Sequence, residues 1–346
     1  MLAEPLDRAT MRGVIEGRGA GPRVPLLLHQ WLYPEAFGER APVVRALLDR
    51  YPCDIQTIRW RNVLNFEAPP DAPTYRWATK PKPADWDQRP LDDRAVIADW
   101  AELDEFLAQF PDANYPGLFP QNPPADGRYR VAHWWYTFFE RHWALRGMTN
   151  ALTDYHFYPE ETKRLFAALT AFYKRIIQRA KSELDADAVY CTDDLGTQTS
   201  TFFSPEVFEE FYVPCYRELI AEAHRLGMHF WLHSCGCIQR FLPRLIDLGL
   251  DVIHPIQKYA MDEVAVAREF GGKITFWVGF DVQQIIPYGT PDEVRAEVRH
   301  LFDTFRRPDG RFLFTFGNGV TPDTPLTSLE AIYDEALRYG SRPLPG

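Results

Sequence analysis

His233-Ser234-Cys235-Gly236 is the stretch of this 346-residue chain whose residue types and spacing are best suited to chemistry. An imidazole and a thiol at i and i+2 leave an extended strand on the same side. Both can then reach one metal ion, and a nitrogen–sulfur donor pair suits zinc. Two donors do not make a catalytic zinc site, which needs a third protein ligand and an open position for substrate. Cys237 continues the alternation only if the strand persists past Gly236, and Cys191 is the further cysteine at a strand end. The bland alternative is a buried cysteine beside a hydrogen-bonded histidine.

A second constellation is Cys191-Thr192-Asp193-Asp194-Leu195-Gly196-Thr197-Gln198. Adjacent acids on an extended chain point to opposite sides, so one of Asp193 and Asp194 faces a pocket directly. That one can serve as general base, metal ligand or cation-binding group, or simply cap the loop that follows. Asp281, in Gly279-Phe280-Asp281-Val282-Gln283, has the same readings.

The elements that must carry these residues alternate regularly. Leu165, Leu169, Phe172 and Ile176 mark one face of a helix over Pro159–Glu183. Strands are expected at Asp187–Thr192, His229–His233, Asp251–Pro255, Ile274–Phe280 and Arg311–Phe316. Helices separate them, one opened by the cap and first-turn proline of Ser204-Pro205-Glu206, another by the Thr290/Glu293 capping box. Spacing of this kind suits parallel βα units. Val24–Leu28 and Cys53–Ile58 add two earlier strands, and a weaker pattern near Arg130–Trp134 adds a third. Eight strands predict an α/β fold of the (β/α)₈ TIM-like barrel type, with function at the carboxyl ends of the strands. The rival is an open doubly wound sheet, but no Gly-x-Gly-x-x-Gly turn follows an early strand. The ends fall at His29-Gln30, Asp54, Asp193-Asp194, His233 to Cys237, His254, Asp281 and Gly317-Asn318-Gly319.

Residues 69–124 hold 11 of the 29 prolines, which argues against regular elements there. Tryptophans crowd the same neighbourhood, among them Trp60, Trp77, Trp86, Trp100, Trp134 and Trp135. An irregular Pro/Trp-rich insertion over about 60–130 is expected, either walling a pocket with aromatic faces, which suit flat or cationic ligands, or serving as a structural flap. Residues 1–20 read as an N-terminal tail and 21–346 as a single barrel domain. The net charge of −10 opposes a polyanionic partner, so nucleic acid is not expected. No apolar run reaches membrane-spanning length, the first residues lack a signal-peptide core, and five cysteines fit a reducing, cytoplasmic setting.

Taken together, Asp193-Asp194-Leu195-Gly196-Thr197-Gln198, Ser204-Pro205-Glu206, Leu232-His233-Ser234-Cys235-Gly236, Gly279-Phe280-Asp281-Val282-Gln283, Gly289-Thr290-Pro291 and Pro322-Asp323-Thr324-Pro325 resemble the uroporphyrinogen decarboxylase superfamily, in order from Arg141 to Tyr339. The resemblance implies a (β/α)₈ barrel and one of two activities: decarboxylation of uroporphyrinogen, or zinc-dependent methyl transfer to or from a corrinoid or a thiol.

Departures from the family pattern separate these. The decarboxylases carry an arginine-rich segment after the first strand, whereas Leu28-His29-Gln30-Trp31-Leu32-Tyr33 has none, and Asn318 stands where they place a histidine. A polyanion bound without its cation clamp leaves buried carboxylates unpaired. The methyltransferase branch matches at His233 and Cys235, its first two zinc ligands, but its usual third, a cysteine, is again Asn318. The third donor is then Cys237, Cys191, Asp193 or Asp194, or the protein is a metal-free member using a folate-type carrier.

The expected protein is a methyltransferase moving a methyl group between a small methoxylated or N-methylated compound and a corrinoid protein or tetrahydrofolate. Asp194, Asp193 and Asp281 are the expected catalytic acids, with Gln198, His29, Asn318 and His254 contacting substrate. The alternative is a metal-independent lyase acting on a smaller carboxylate. A homodimer is a candidate assembly.

Overall fold

Seven strands lie side by side in chain order, all parallel: β1 (Ile55–Arg59), β2 (Tyr129–Trp134), β3 (Ala188–Thr192), β4 (His229–His233), β5 (Val252–His254), β6 (Thr275–Phe280) and β7 (Phe312–Phe316). This computed structural model describes residues 2–60, 85, 88–120, 122–123 and 126–343. The later strands are near-continuous apolar and aromatic runs, HFWLH in β4 and FLFTF in β7, buried at every position. That pattern belongs to strands covered on both faces, as in a parallel sheet wrapped by helices. The result is an α/β fold with a curled seven-stranded sheet, consistent with a TIM-like barrel.

The first expected strand did not form as one. At Val24–Leu28 a single parallel bridge, Leu26 to Phe314, stands in its place. The Pro25 carbonyl accepts from Phe314 N–H at 3.0 Å, Leu27 N–H donates to the Phe314 carbonyl at 2.8 Å, and Asp54 N–H donates to the Leu26 carbonyl at 3.1 Å. The segment thus joins both edges of the sheet. Pro25 has no N–H to offer a ladder, and the chain coils at once into a 3₁₀ turn over Leu28–Gln30. Asp54, expected at a carboxyl end, sits instead at the start of β1. There it is fully buried, paired with Arg23 at 2.6 Å and accepting from Leu6 and Leu26 N–H.

The opposite end of the sheet is closed by α1 (Arg8–Ile15), whose Met11, Val14 and Ile15 are buried, so residues 1–20 include a packed helix. Thr275 Oγ1 donates to the Ile15 carbonyl at 2.7 Å and Arg311 N–H to the Val14 carbonyl at 2.9 Å.

Among the crossovers, the helix Pro159–Leu184 buries Leu165, Leu169, Phe172 and Ile176 and ends at Asp185 in the left-handed region. The helix Pro291–Phe305 opens with the Thr290/Glu293 capping box.

Of the Pro/Trp-rich segment, residues 61–84 and 86–87, with Trp77 and Trp86, lie outside the described residues. Residues 88–120 form short turns and the helix Leu103–Ala108. They pack on outer helices, with Trp100 Nε1 donating to Asp154 at 2.9 Å and Arg179 donating to the Ala113 and Tyr115 carbonyls. Among the described residues no helix is long and apolar enough to cross a membrane.

Candidate metal centre

β4 ends at His233, and the chain turns immediately into a loop locked to the one after β3. Leu195 N–H donates to Ser234 Oγ at 2.9 Å, Cys235 N–H to Asp194 Oδ1 at 2.8 Å, and Gly236 N–H to Gln257 Oε1 at 2.7 Å. Gly236 takes φ +87°, and a Cβ there would lie 2.2 Å from the Gly196 backbone. Only two glycines permit this approach.

The interlocked loops bring Asp194, His233 and Cys235 together, with one donor atom from each within 4.8 Å of the others. His233 Nε2 lies 3.3 Å from Asp194 Oδ1 and 3.3 Å from Cys235 Sγ. The imidazole is buried while the Asp194 side chain stays 38% exposed, so the cluster opens to the rim on the carboxylate side. Burial opposes a charge on His233, but the facing Cys235 sulfur and Asp194 carboxylate outweigh it and raise its pKa well above the ordinary value. Partial desolvation pushes the Asp194 pKa upward, but the His233 hydrogen bond and charge outweigh it and hold the carboxyl below its usual value.

The other face of His233 is fixed by a relay. Its Nδ1 lies 2.6 Å from His254 Nδ1, and His254 Nε2 lies 3.0 Å from the Phe316 carbonyl. A carbonyl only accepts, so His254 carries its proton on Nε2. Burial keeps that ring neutral, which leaves its Nδ1 as acceptor for the Nδ1–H of His233. The Nε2 of His233 is thereby the atom presented to Asp194 and Cys235. Trp31 stacks on His254 at 5.3 Å and 10° and touches the His233 ring at 5.2 Å.

The remaining sequence-derived residues fall in different places. Asn318 is at the rim, its amide 3.6 Å from Cys235 Sγ. Asp281 lines the same cleft with Cys235 and Asn318, but its carboxylate accepts from the N–H groups of Gln283, Gln284 and Ile285 and so caps the next turn. Asp193 points away from the cluster. It accepts from Tyr216 Oη at 2.6 Å and from Phe138 and Glu140 N–H, and burial pushes its pKa up to about 6. Cys191 lies on that outward side, where burial drives its thiol pKa up. Cys237 N–H donates to the Thr197 carbonyl, and neither Cys191 nor Cys237 is part of the donor cluster. Gln198 is exposed in the loop after β3. His29 turns away with the 3₁₀ turn, its Nε2 3.1 Å from the Leu48 carbonyl and its ring edge-on to Tyr333.

Two residues near the centre were not anticipated. Glu140, in the first turn of the helix Phe139–Arg146, accepts from Thr192 Oγ1 at 2.6 Å. Burial and the charges of Asp194 and Asp193 hold its carboxyl pKa well above the usual range. His133, at the end of β2, is fully enclosed against Tyr190. The weak strand pattern of this region hid both, although any polar residue just past a buried strand is a signal.

The uroporphyrinogen decarboxylase (URO-D) family model matches residues 144–339, more than half of the chain, and the chain belongs to that family. It is similar to a methylated-thiol–coenzyme M methyltransferase of Methanosarcina mazei, 27% identical over 136 residues. That match covers 38% of this chain and 33% of the relative, so it spans about a third of the relative's length. A solved methyltransferase from Methanosarcina mazei shares the fold, with a TM-score of 0.59 at 13% identity over 96% of this chain and 99% of that one.

Proposed function

We propose that this protein is a zinc-assisted methyltransferase that passes a methyl group between a small methylated compound and a corrinoid protein or tetrahydrofolate. The observation that carries this reading is the convergence of a carboxylate, an imidazole and a thiol on one partly open rim. A nitrogen, a sulfur and an oxygen donor fit zinc, and three protein ligands leave room for a substrate atom. Zinc, when bound, lowers the pKa of a coordinated thiol or polarises the bond being broken. The similarity to a methyl-transferring relative supports the same reading.

The chain's own residues then have separable tasks. His233 offers Nε2 to the metal because its other proton is committed to His254. Asp194 Oδ1 is held in place by the Cys235 N–H. The Asn318 amide reaches Cys235 Sγ and orients it without adding a charged donor. Trp31 covers one face of the histidine pair and keeps water from it. Glu140, whose carboxyl pKa burial and the neighbouring Asp194 and Asp193 charges raise, is a candidate proton donor to a departing oxygen or nitrogen. Decarboxylation of a polycarboxylate fits less well, because the segment Leu28–Tyr33 carries no arginine and Asp281 is committed to capping.

Metal analysis of protein purified without added zinc tests this first, and the absorbance of methylcobalamin or the turnover of methyltetrahydrofolate tests it second. One zinc per chain, lost in His233→Ala, and a donor-dependent change in carrier are expected. Metal-free protein that releases carbon dioxide from a carboxylate, unchanged in chelator, would overturn it.

A further inference from the structure

Past the carboxyl ends of β5, β6 and β7 lies a cleft of about 60 Å³. Cys235 and Asn318, which meet at the metal centre, line it together with Gln257, Lys258 and Asp281. Room of that size takes a group of a few heavy atoms. The loops that bound it are in direct contact, since a Cβ on Gly279 would lie 2.3 Å from Gly317 Cα and 2.7 Å from Pro255 Cβ.

Gln257 reaches this cleft by a strained route. Ile256 is fully buried in the left-handed region at φ +54°, where a β-branched residue is an outlier. Such a conformation persists only where its surroundings fix it, and it gathers at working sites. Here Ile256 sinks into the core and Gln257 goes to the rim, where its Oε1 accepts the Gly236 N–H at 2.7 Å. A backbone N–H only donates, so the orientation of the amide is settled. Its oxygen is committed to the loop that carries Cys235, and its NH₂ group is the end left for the cleft.

The two charged residues of the lining are already engaged. Lys258 Nζ lies 2.5 Å from Glu297 Oε1 and 3.2 Å from Glu263 Oε2, one cation against two carboxylates. Both oxygens of Asp281 accept backbone N–H groups of the next turn. The metal centre is balanced too, because the two charges of a zinc ion would be met by the Cys235 thiolate and the Asp194 carboxylate. An entering carboxylate would find no uncommitted cation among these residues, and its repulsion is stronger in a partly buried site than in water. A neutral oxygen escapes that cost and still finds the Gln257 amide.

We propose that Gln257 selects an uncharged group on the substrate. Its NH₂ donates to a carbonyl, hydroxyl or ether oxygen close to the atom presented to Cys235, and carboxylates are turned away. That the substrate is a methyl donor or acceptor rests on the methyl-transfer reading, whereas the selectivity of the cleft does not.

Alkylation of Cys235 in the full-length chain, after treatment with chelator, reads this without turnover, metal or carrier. Iodoacetamide and iodoacetate have nearly one shape and differ in charge, and each forms an S–C bond and releases iodide. Iodoethane lacks the oxygen, so rates taken relative to it cancel any change in the thiol itself. Peptide mass spectrometry follows modification at Cys235, and the same ratios for free 2-mercaptoethanol set the reference. In the parent, iodoacetamide is expected to lead iodoacetate by about tenfold beyond that reference. Gln257→Glu keeps an oxygen for the Gly236 N–H but loses the donor, and should slow iodoacetamide about fivefold. Glu297→Gln, which releases Lys258, should speed iodoacetate by about the same factor and leave iodoacetamide unchanged. Parent ratios equal to those of the free thiol, a faster anion, or a preference unchanged in either variant would overturn the proposal. So would a Cys235 that none of the reagents reaches. Loss of methyl transfer with this selectivity intact would instead refute the reaction and leave the role of Gln257 standing.

Discussion

His233 Nδ1 lies 2.6 Å from His254 Nδ1, and the pair ends on the Phe316 carbonyl. A buried imidazole is thus oriented by a second imidazole from the neighbouring strand, in register with it. Outer partners of this kind set the tautomer and ring orientation of a ligating histidine, and removing one lowers metal affinity by about 10–100-fold. His254→Phe, which keeps an aromatic ring against Trp31 and Trp277, should therefore weaken zinc binding by that factor in competition with a chromophoric chelator. Unaltered affinity in a folded variant would mean that His233 needs no such support.

The identity of the third donor is decided by a second substitution pair. Asp194→Asn keeps the volume and leaves an oxygen for the Cys235 N–H, but removes the charge that faces His233. Zinc stoichiometry should fall well below one per chain. Cys191→Ser, on the outward side of β3, should leave it at one. The reverse pattern would transfer the third position to the cysteine.

Much of this rim could be read along the chain, and the reason is periodicity. The alternation of β4 turns His233 inward, Cys235 joins it from the loop beyond, where its N–H is held by Asp194, and alternation also separates Asp193 from Asp194 without saying which faces in. What decides is remote: Tyr216 and the N–H groups at the start of the helix Phe139–Arg146 claim Asp193, leaving Asp194 for the cluster. Cys191 follows from that choice, since it shares the side of Asp193. A strand over Val24–Leu28 would bring His29 to the rim, but the 3₁₀ turn rotates it toward Leu48 and carries Trp31 to the histidines in its place. Asp54 has no local signal of its burial, because Arg23 reaches it across 31 residues of sequence. Glu140 and His133 flank the end of β2, whose mixed composition (YRVAHW) reads weakly as a strand.

Gly196 offers a test of positioning without touching a donor. A Cβ there would sit 2.7 Å from Cys237 N and from the Gly236 carbonyl carbon, both backbone atoms that cannot swing aside. Its backbone conformation suits alanine, so Gly196→Ala should cost about 1–3 kcal/mol of stability through overpacking alone. By pushing the β4 loop outward it should also weaken zinc binding, although all three donors remain. Urea denaturation and chelator competition on the same variant separate the two effects. Full stability with full affinity would show that the two loops are not locked.

Away from the rim, Asp154 should govern part of the acid limb of stability. Its buried carboxylate accepts from Arg146 at 2.9 and 3.0 Å, from Trp100 Nε1 at 2.9 Å, and lies 3.2 Å from His142 Nε2. Burial alone would raise its pKa, but the bonds from His142, Arg146 and Trp100 outweigh this and bring it to about 2. The folded value lies below the unfolded one, so protons bind the unfolded chain more readily. The contribution is complete above about pH 4 and disappears as the pH falls toward 2; over that window it amounts to about 2 kcal/mol. Asp154→Asn should be less stable than the parent at neutral pH, since Arg146 loses its buried counter-charge. The difference should shrink between pH 4 and pH 2.5 as the parent protonates. Urea midpoints of the two proteins across that range read it directly, and a gap that stays constant would show that Asp154 does not titrate there.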